Sequence, residues 1–235
     1  MQFTDRELAL CYRFSQEMIG NHNKDIIMER EDWEIFRDDF RGKLGEVALR
    51  KYITENVPNA NIEGDIDYSV TPLGQWDTVD LQVNGIYINV KSVKQKSNFL
   101  MIEKKRYNAD GQYSYKNNNG KEVQVDAYVL VRVTVEPDMT MYTMGFTDIE
   151  QLKENRVISA EILGGISHDE FWSKKHYISK GIRCTYYNLR AACDEKEVFP
   201  EQGRGSEKKT EILQQDNYIL YKDELKSIAD ILNRK

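Results

Sequence analysis

At 235 residues, with 40% hydrophobic and 31% charged residues, the chain is long enough for one sizeable core and too apolar for wholesale disorder. No uncharged apolar run approaches the roughly 18 residues of a membrane-spanning helix. Its three cysteines (Cys11, Cys184, Cys193) contain no CxxC pair, and its three histidines (His22, His168, His176) have neither HExxH nor HxxxH spacing, which disfavours a disulfide framework and a Cys- or His-based metal site. The stretch from Met1 to Glu7 has no basic segment leading into an apolar core, so no secretory signal is expected and a reducing cytoplasm is the expected compartment. The formal net charge of −6 argues only weakly against nucleic acid, because counterion-driven binding depends on local patches. One such patch exists: between residues 91 and 106, Lys91, Lys94, Lys96, Lys104, Lys105 and Arg106 face a single acid, Glu103.

In chain order, the capping box Thr4-x-x-Glu7 opens a helix over 4–19, followed by a loop at 20–27. Phe36, Phe40, Leu44 and Val47 recur at helical spacing within a long helix over 30–56, which Pro58 ends. Strands are predicted at 62–70, 78–83 and 86–91, the last two joined by Asn84-Gly85. Residues 107–122 read as a polar loop and 123–135 as a buried central strand. A strand at 141–146 precedes short helices near 148–155 and 168–175, opened by Thr147-x-x-Glu150 and Ser167-x-x-Glu170. Residues 181–189 read as a strand, 194–210 as a charged loop, 217–221 as a strand and 223–234 as a helix. The order predicts an α/β or α+β domain with a mixed central sheet flanked by helices. Its body is expected over 1–193, with a core at about 35–150. Residues 194–235 are expected to pack on the same domain as a flexible loop, a strand and a helix.

The hairpin carries the chemistry. With Asn84-Gly85 as a two-residue turn, Val83 faces Ile86, Gln82 faces Tyr87, Leu81 faces Ile88 and Asp80 faces Asn89. One side is then apolar (Val79, Leu81, Val83, Ile86, Ile88, Val90), and the other carries Asp80, Asn89 and Lys91. An ordinary solvated sheet face would also be polar. Two neighbours favour chemistry. Glu46 shares a second helix face with Gly42, Leu49 and Ile53, so the helix is sandwiched and Glu46 partly buried. A buried carboxylate needs a partner or a cation. Gly42 and Gly45 would let this helix approach another element closely. The basic run leads away from the polar patch, as a phosphodiester track would.

The set Gly42-Lys43-Leu44-Gly45-Glu46-Val47-Ala48, then Asp80, then Ile86-Tyr87-Ile88-Asn89-Val90-Lys91-Ser92 resembles the PD-(D/E)xK nuclease superfamily, which includes many type II restriction endonucleases and related phage and plasmid nucleases. The resemblance covers about residues 35–135, with Val125-Asp126-Ala127-Tyr128-Val129-Leu130-Val131 as the apolar strand that follows the hairpin. It implies a restriction-endonuclease-like core and Mg²⁺-dependent hydrolysis of DNA, with Mn²⁺ as a substitute. It makes Asp80, Asn89 and Glu46 the metal ligands and Lys91 the catalytic lysine, with Asp77 as an accessory group. It also implies double-stranded DNA as partner, a homodimer and a prokaryotic or phage-encoded origin. Lys94, Gln95, Lys96, Lys104, Lys105 and Arg106 would contact the DNA. Asn89 stands where the family has Asp or Glu. That leaves open an enzyme with a neutral ligand, a nuclease-like DNA-binding protein that no longer cleaves, and an engineered replacement of an acidic residue. A structure-selective phage nuclease is the nearest alternative within the fold, and a scaffold with a polar hairpin the alternative outside it.

Lys174, Lys175, Lys180 and Arg183 form a second basic cluster. Gln95 and Asn98 could read base edges. His168 is expected at the surface, the three tryptophans in the core or at its rim, and only Trp76 near substrate.

Overall fold

The computed structural model describes residues 1–19, 31–70, 80–116, 122–194 and 212–233. The expected loops at 20–27 and 194–210, together with Trp76 and Asp77, lie wholly or mainly outside these residues.

Helix α1 (Asp5–Met18) begins as expected: Thr4 N donates to Glu7 Oε2 (2.7 Å) and Glu7 N donates to Thr4 Oγ1 (3.3 Å). Helix α2 (Asp32–Asn56) opens with a similar reciprocal cap between Glu31 and Glu34. It buries Phe36, Phe40, Leu44 and Val47 together with Leu49 and Ile53. It is therefore apolar on two sides and lies between α1 and a sheet.

That sheet has five strands: β1 (Ile62–Glu63), β2 (Leu81–Val83), β3 (Ile86–Val93), β7 (Ala127–Glu136) and β8 (Val157–Ser167), in the order β1-β2-β3-β7-β8. Strands β3 and β7 run parallel and all other neighbours antiparallel. Asn84 (φ 52°) and Gly85 (φ 76°) both take positive φ, as a type I′ turn requires, and the pairs Val83↔Ile86, Gln82↔Tyr87 and Leu81↔Ile88 form in the expected register. Strand β7 is buried on both faces: Val129, Val131, Val133 and Val135 pack towards the helices, Tyr128 and Leu130 away from them.

On the far face lies a smaller antiparallel sheet of β4 (Phe99–Glu103), β10 (Asn217–Tyr221) and β9 (His176–Ile178), in the order β4-β10-β9. Leu100, Ile102 and Leu220 meet Tyr128, Leu130 and Phe171 of α4 (His168–Lys174). Phe99, Ile178 and Ile219 on its other side meet Leu189 and Ala192 of α5 (Tyr186–Cys193). Strands β5 (Ser114–Lys116) and β6 (Glu122–Gln124) pair as a separate ribbon. Helices α3 (Ile149–Lys153) and α6 (Ile228–Leu232) complete the chain. The fold is mixed α/β, a mixed central sheet flanked by helices. Among the described residues no helix is long and apolar enough to cross a membrane.

Several sequence expectations are corrected. The strand expected at 62–70 stops after Glu63, because two carbonyls beyond it serve α2 instead: Arg50 Nη1 donates to Gly64 O (2.6 Å) and Lys43 Nζ to Asp67 O (2.8 Å). The loop expected at 107–122 contains β5 and the start of β6, and the strand expected at 123–135 is divided between β6 and β7. Residues 141–146 form no strand but a 3₁₀ turn, whose carbonyls accept from α1 side chains, Tyr12 Oη and Gln16 Nε2. Asp148 rather than Thr147 caps α3. The strand expected at 181–189 gives way to α5, since Leu189 and Ala192 present a helical face to the small sheet. The helix expected at 223–234 shrinks to a 3₁₀ turn at Lys222–Glu224 and α6. The long strand β8 was not anticipated. Its Gly164-Gly165 pair lies beside an irregularity in the ladder with β7.

Candidate active site

The β2–β3 ladder ends at Leu81↔Ile88, one residue short of the expected Asp80–Asn89 pair. Asp80 N donates to Ile88 O (3.1 Å), and Val90 N donates to Asp80 Oδ2 (2.6 Å). The carboxylate thus takes a strand N–H where regular pairing has stopped, and it is held against the Asn89–Val90 segment. Asn89 is 5% exposed, beside Tyr128 of β7. Lys91 follows on the same face of β3 by alternation. It is half-buried and forms no ion pair among the described residues.

Glu46 comes from α2, with its side chain 12% exposed. Gly45 places this part of the helix against β3: a Cβ on Gly45 would lie 2.0 Å from Ser92 Oγ and 3.3 Å from Ser92 Cβ. Gly42 plays no such part, because a Cβ there meets nothing within 4 Å. Burial, and next the negative charge of Asp80, push the Glu46 carboxyl up to about 8; Lys43 opposes the shift and Asp67 adds to it. Lys43 Nζ lies 2.8 Å from Glu46 Oε2, 4.5 Å from the centroid of the Phe14 ring and 5.9 Å from that of Tyr68. Cys11 closes the cluster, its thiol pushed up to about 12 chiefly by burial.

Sequence reasoning missed Lys43, Asp67, Tyr68 and Cys11 as neighbours of Glu46. Lys43 could have been found from its i, i+3 spacing to Glu46. Asp67 and Tyr68 could not, because they arrive on an irregular segment.

Glu46 carries a pH signature. Its folded-state pKa lies above the ordinary glutamate value of about 4.3, so the native state holds the extra proton. The stability this lends is fully present below the ordinary value and is lost as pH rises towards about 8. Lys43, Asp80, Asp67, Cys11 and Tyr68 surround the group. The Tm of Glu46→Gln minus that of the parent chain, measured by calorimetry across this window, should therefore rise with pH. A flat difference would contradict the burial and the Asp80 coupling.

The expected DNA contacts divide into two groups. Lys94, Gln95 and Lys96 occupy the turn between β3 and β4, whereas Lys104, Lys105 and Arg106 form a 3₁₀ turn at the opposite end of β4. They are not one continuous patch. Asn98 is committed internally, accepting from Arg132 Nη2 (2.6 Å). His168 is no simple surface residue: Nδ1 pairs with Tyr128 Oη (3.1 Å) and Nε2 with Gly111 O (3.0 Å).

Among the described residues no three His, Cys, Asp or Glu side chains come together as a metal-binding group. The candidate donor set is two carboxylates, Glu46 and Asp80, and the neutral amide of Asn89. Burial first, and the charge of Asp80 second, raise Glu46, and a divalent cation between the two carboxylates would relieve that repulsion. Comparisons with protein families, curated proteins and solved structures returned no match to this chain.

Proposed function

We propose that this chain is a Mg²⁺-dependent endonuclease acting on double-stranded DNA, with a PD-(D/E)xK-like core and most akin to the type II restriction class. The observation that carries this reading is the buried Glu46 carboxyl on α2, raised by burial and next by the negative charge of Asp80, which stands at the frayed start of β2. Helix, hairpin and apolar strand β7 follow in the order that the motif resemblance implies. A divalent ion held there would polarise the scissile phosphate and acidify water. Asp80 and Glu46 would supply the charge that holds it, and Asn89 would offer an uncharged oxygen. The Lys91 ammonium offsets the charge that develops on the phosphate. A homodimer would match a two-fold symmetric site on DNA.

A second reading, DNA binding without cleavage, is favoured by the neutral Asn89 and by the 2.8 Å pairing of Lys43 with Glu46, which places a cation on the helix carboxylate. Cleavage of a large mixed-sequence DNA with Mg²⁺ or Mn²⁺, comparing the chain with Asn89→Asp, separates the two. Discrete fragments from the parent chain would support a working enzyme, and Asn89→Asp should cut faster at lower metal concentration. Fragments from the variant alone would mean a site disabled at one residue. DNA binding with steep salt dependence and no cleavage by either protein would sink the catalytic reading.

A further inference from the structure

We infer that the β9 edge of the small sheet, with the turn after β4, is a binding platform for single-stranded nucleic acid. Sequence separates its two basic runs by about seventy residues, but β10 brings them together. Asn217 pairs with Glu103 of β4 on one side and with Ile178 of β9 on the other, so Lys104–Arg106 and Lys180 leave the sheet at the same end. Asp216 ties them: Lys104 N donates to Asp216 O (3.0 Å) and Lys180 N donates to Asp216 Oδ1 (3.0 Å). Tyr177 stands beside Asp216 and is 49% exposed.

The aromatic surface continues inward from Tyr177. Tyr218 lies 6.4 Å from it between ring centroids, and Trp172 lies 5.6 Å from Tyr218. Cations rest on these rings: Lys104 Nζ is 5.0 Å from the Tyr177 centroid and Lys175 Nζ is 3.5 Å from the Trp172 centroid. Lys104, Lys105, Arg106 and Lys180 are exposed. An exposed ring beside exposed cations suits a strand whose bases are unstacked and whose phosphates lie alongside. A duplex hides its base faces and could use only the cations.

This inference does not depend on catalysis, so it is tested without metal. Fluorescence anisotropy in EDTA measures binding of the full chain to a labelled oligodeoxythymidylate and to the corresponding dT–dA duplex. The single strand should bind more tightly. Tyr177→Ala should weaken single-strand binding about tenfold with little effect on the duplex. Lys104→Glu with Lys180→Glu should weaken both and flatten the salt dependence. Binding in EDTA is read without cleavage, so its failure and the failure of the catalytic reading are told apart. Circular dichroism confirms that each variant is folded. Equal affinity of Tyr177→Ala and the parent chain for the single strand would overturn the platform. So would binding to phosphatidylserine vesicles in place of either oligonucleotide.

Discussion

Asp80→Asn is expected to lower Mg²⁺-dependent DNA cleavage by about 10²–10³-fold or more. The substitution removes one of the two carboxylates of the proposed donor set yet keeps an oxygen able to accept from Val90 N–H. The fold should therefore lose no more than about 1 kcal/mol, within the range of a single exchanged hydrogen bond. Lys91→Ala should produce a kinetic loss of similar order without weakening metal binding, because the role proposed for the lysine is on the phosphate. Single-turnover cleavage with metal titration separates the two effects. If both variants cut like the parent chain, Asp80 and Lys91 are only a polar face on a hairpin.

Gly45→Val is expected to destabilise the fold by about 3 kcal/mol, the upper end of the usual cost of overpacking. The first added carbon already falls 2.0 Å from Ser92 Oγ and 3.5 Å from Val90 Cγ1. Ser92 could turn its hydroxyl aside, but its Cβ at 3.3 Å would remain, so helix and strand must part. Gly42→Ala, three residues away on the same helix, should be neutral or stabilise by up to about 1 kcal/mol, because it meets open space and gains helix propensity. Urea denaturation reads both. Ser92→Gly should partly rescue Gly45→Ala, and a double-mutant cycle showing no coupling would refute the contact.

The hairpin was legible because two independent signals agreed: Asn84-Gly85 dictates a turn with positive φ at both positions, and the alternation of apolar side chains around it allows only one register. The point where the ladder stops was not legible, because Asp80 replaces a strand partner with its own carboxylate. The two-sided helix was legible from Leu49 and Ile53, and with it the burial of Glu46. Asp67 and Tyr68 escaped because an irregular segment has no period to read; its carbonyls are satisfied by Arg50 and Lys43 from another element. Residues 157–167 and 186–193 failed for a related reason. Paired glycines hid a strand that fits an irregular ladder, and a helix of eight residues is too short for its period to outweigh β-rich neighbours.

The placement of β10 has a consequence for how the molecule is made. The middle strand of the small sheet is the last of its three in chain order, so β4 and β9 leave the ribosome before the strand that joins them. Until then each presents an unpaired edge, and Phe99 and Ile178 lack the Ile219 side chain that completes their cluster. A chain truncated ahead of Asn217 would keep the hairpin and α2 but leave two sticky edges in place of a sheet. Such a fragment could borrow the missing strand from another copy, a route to strand exchange that β10 closes when it pairs with β4 and β9 of its own chain.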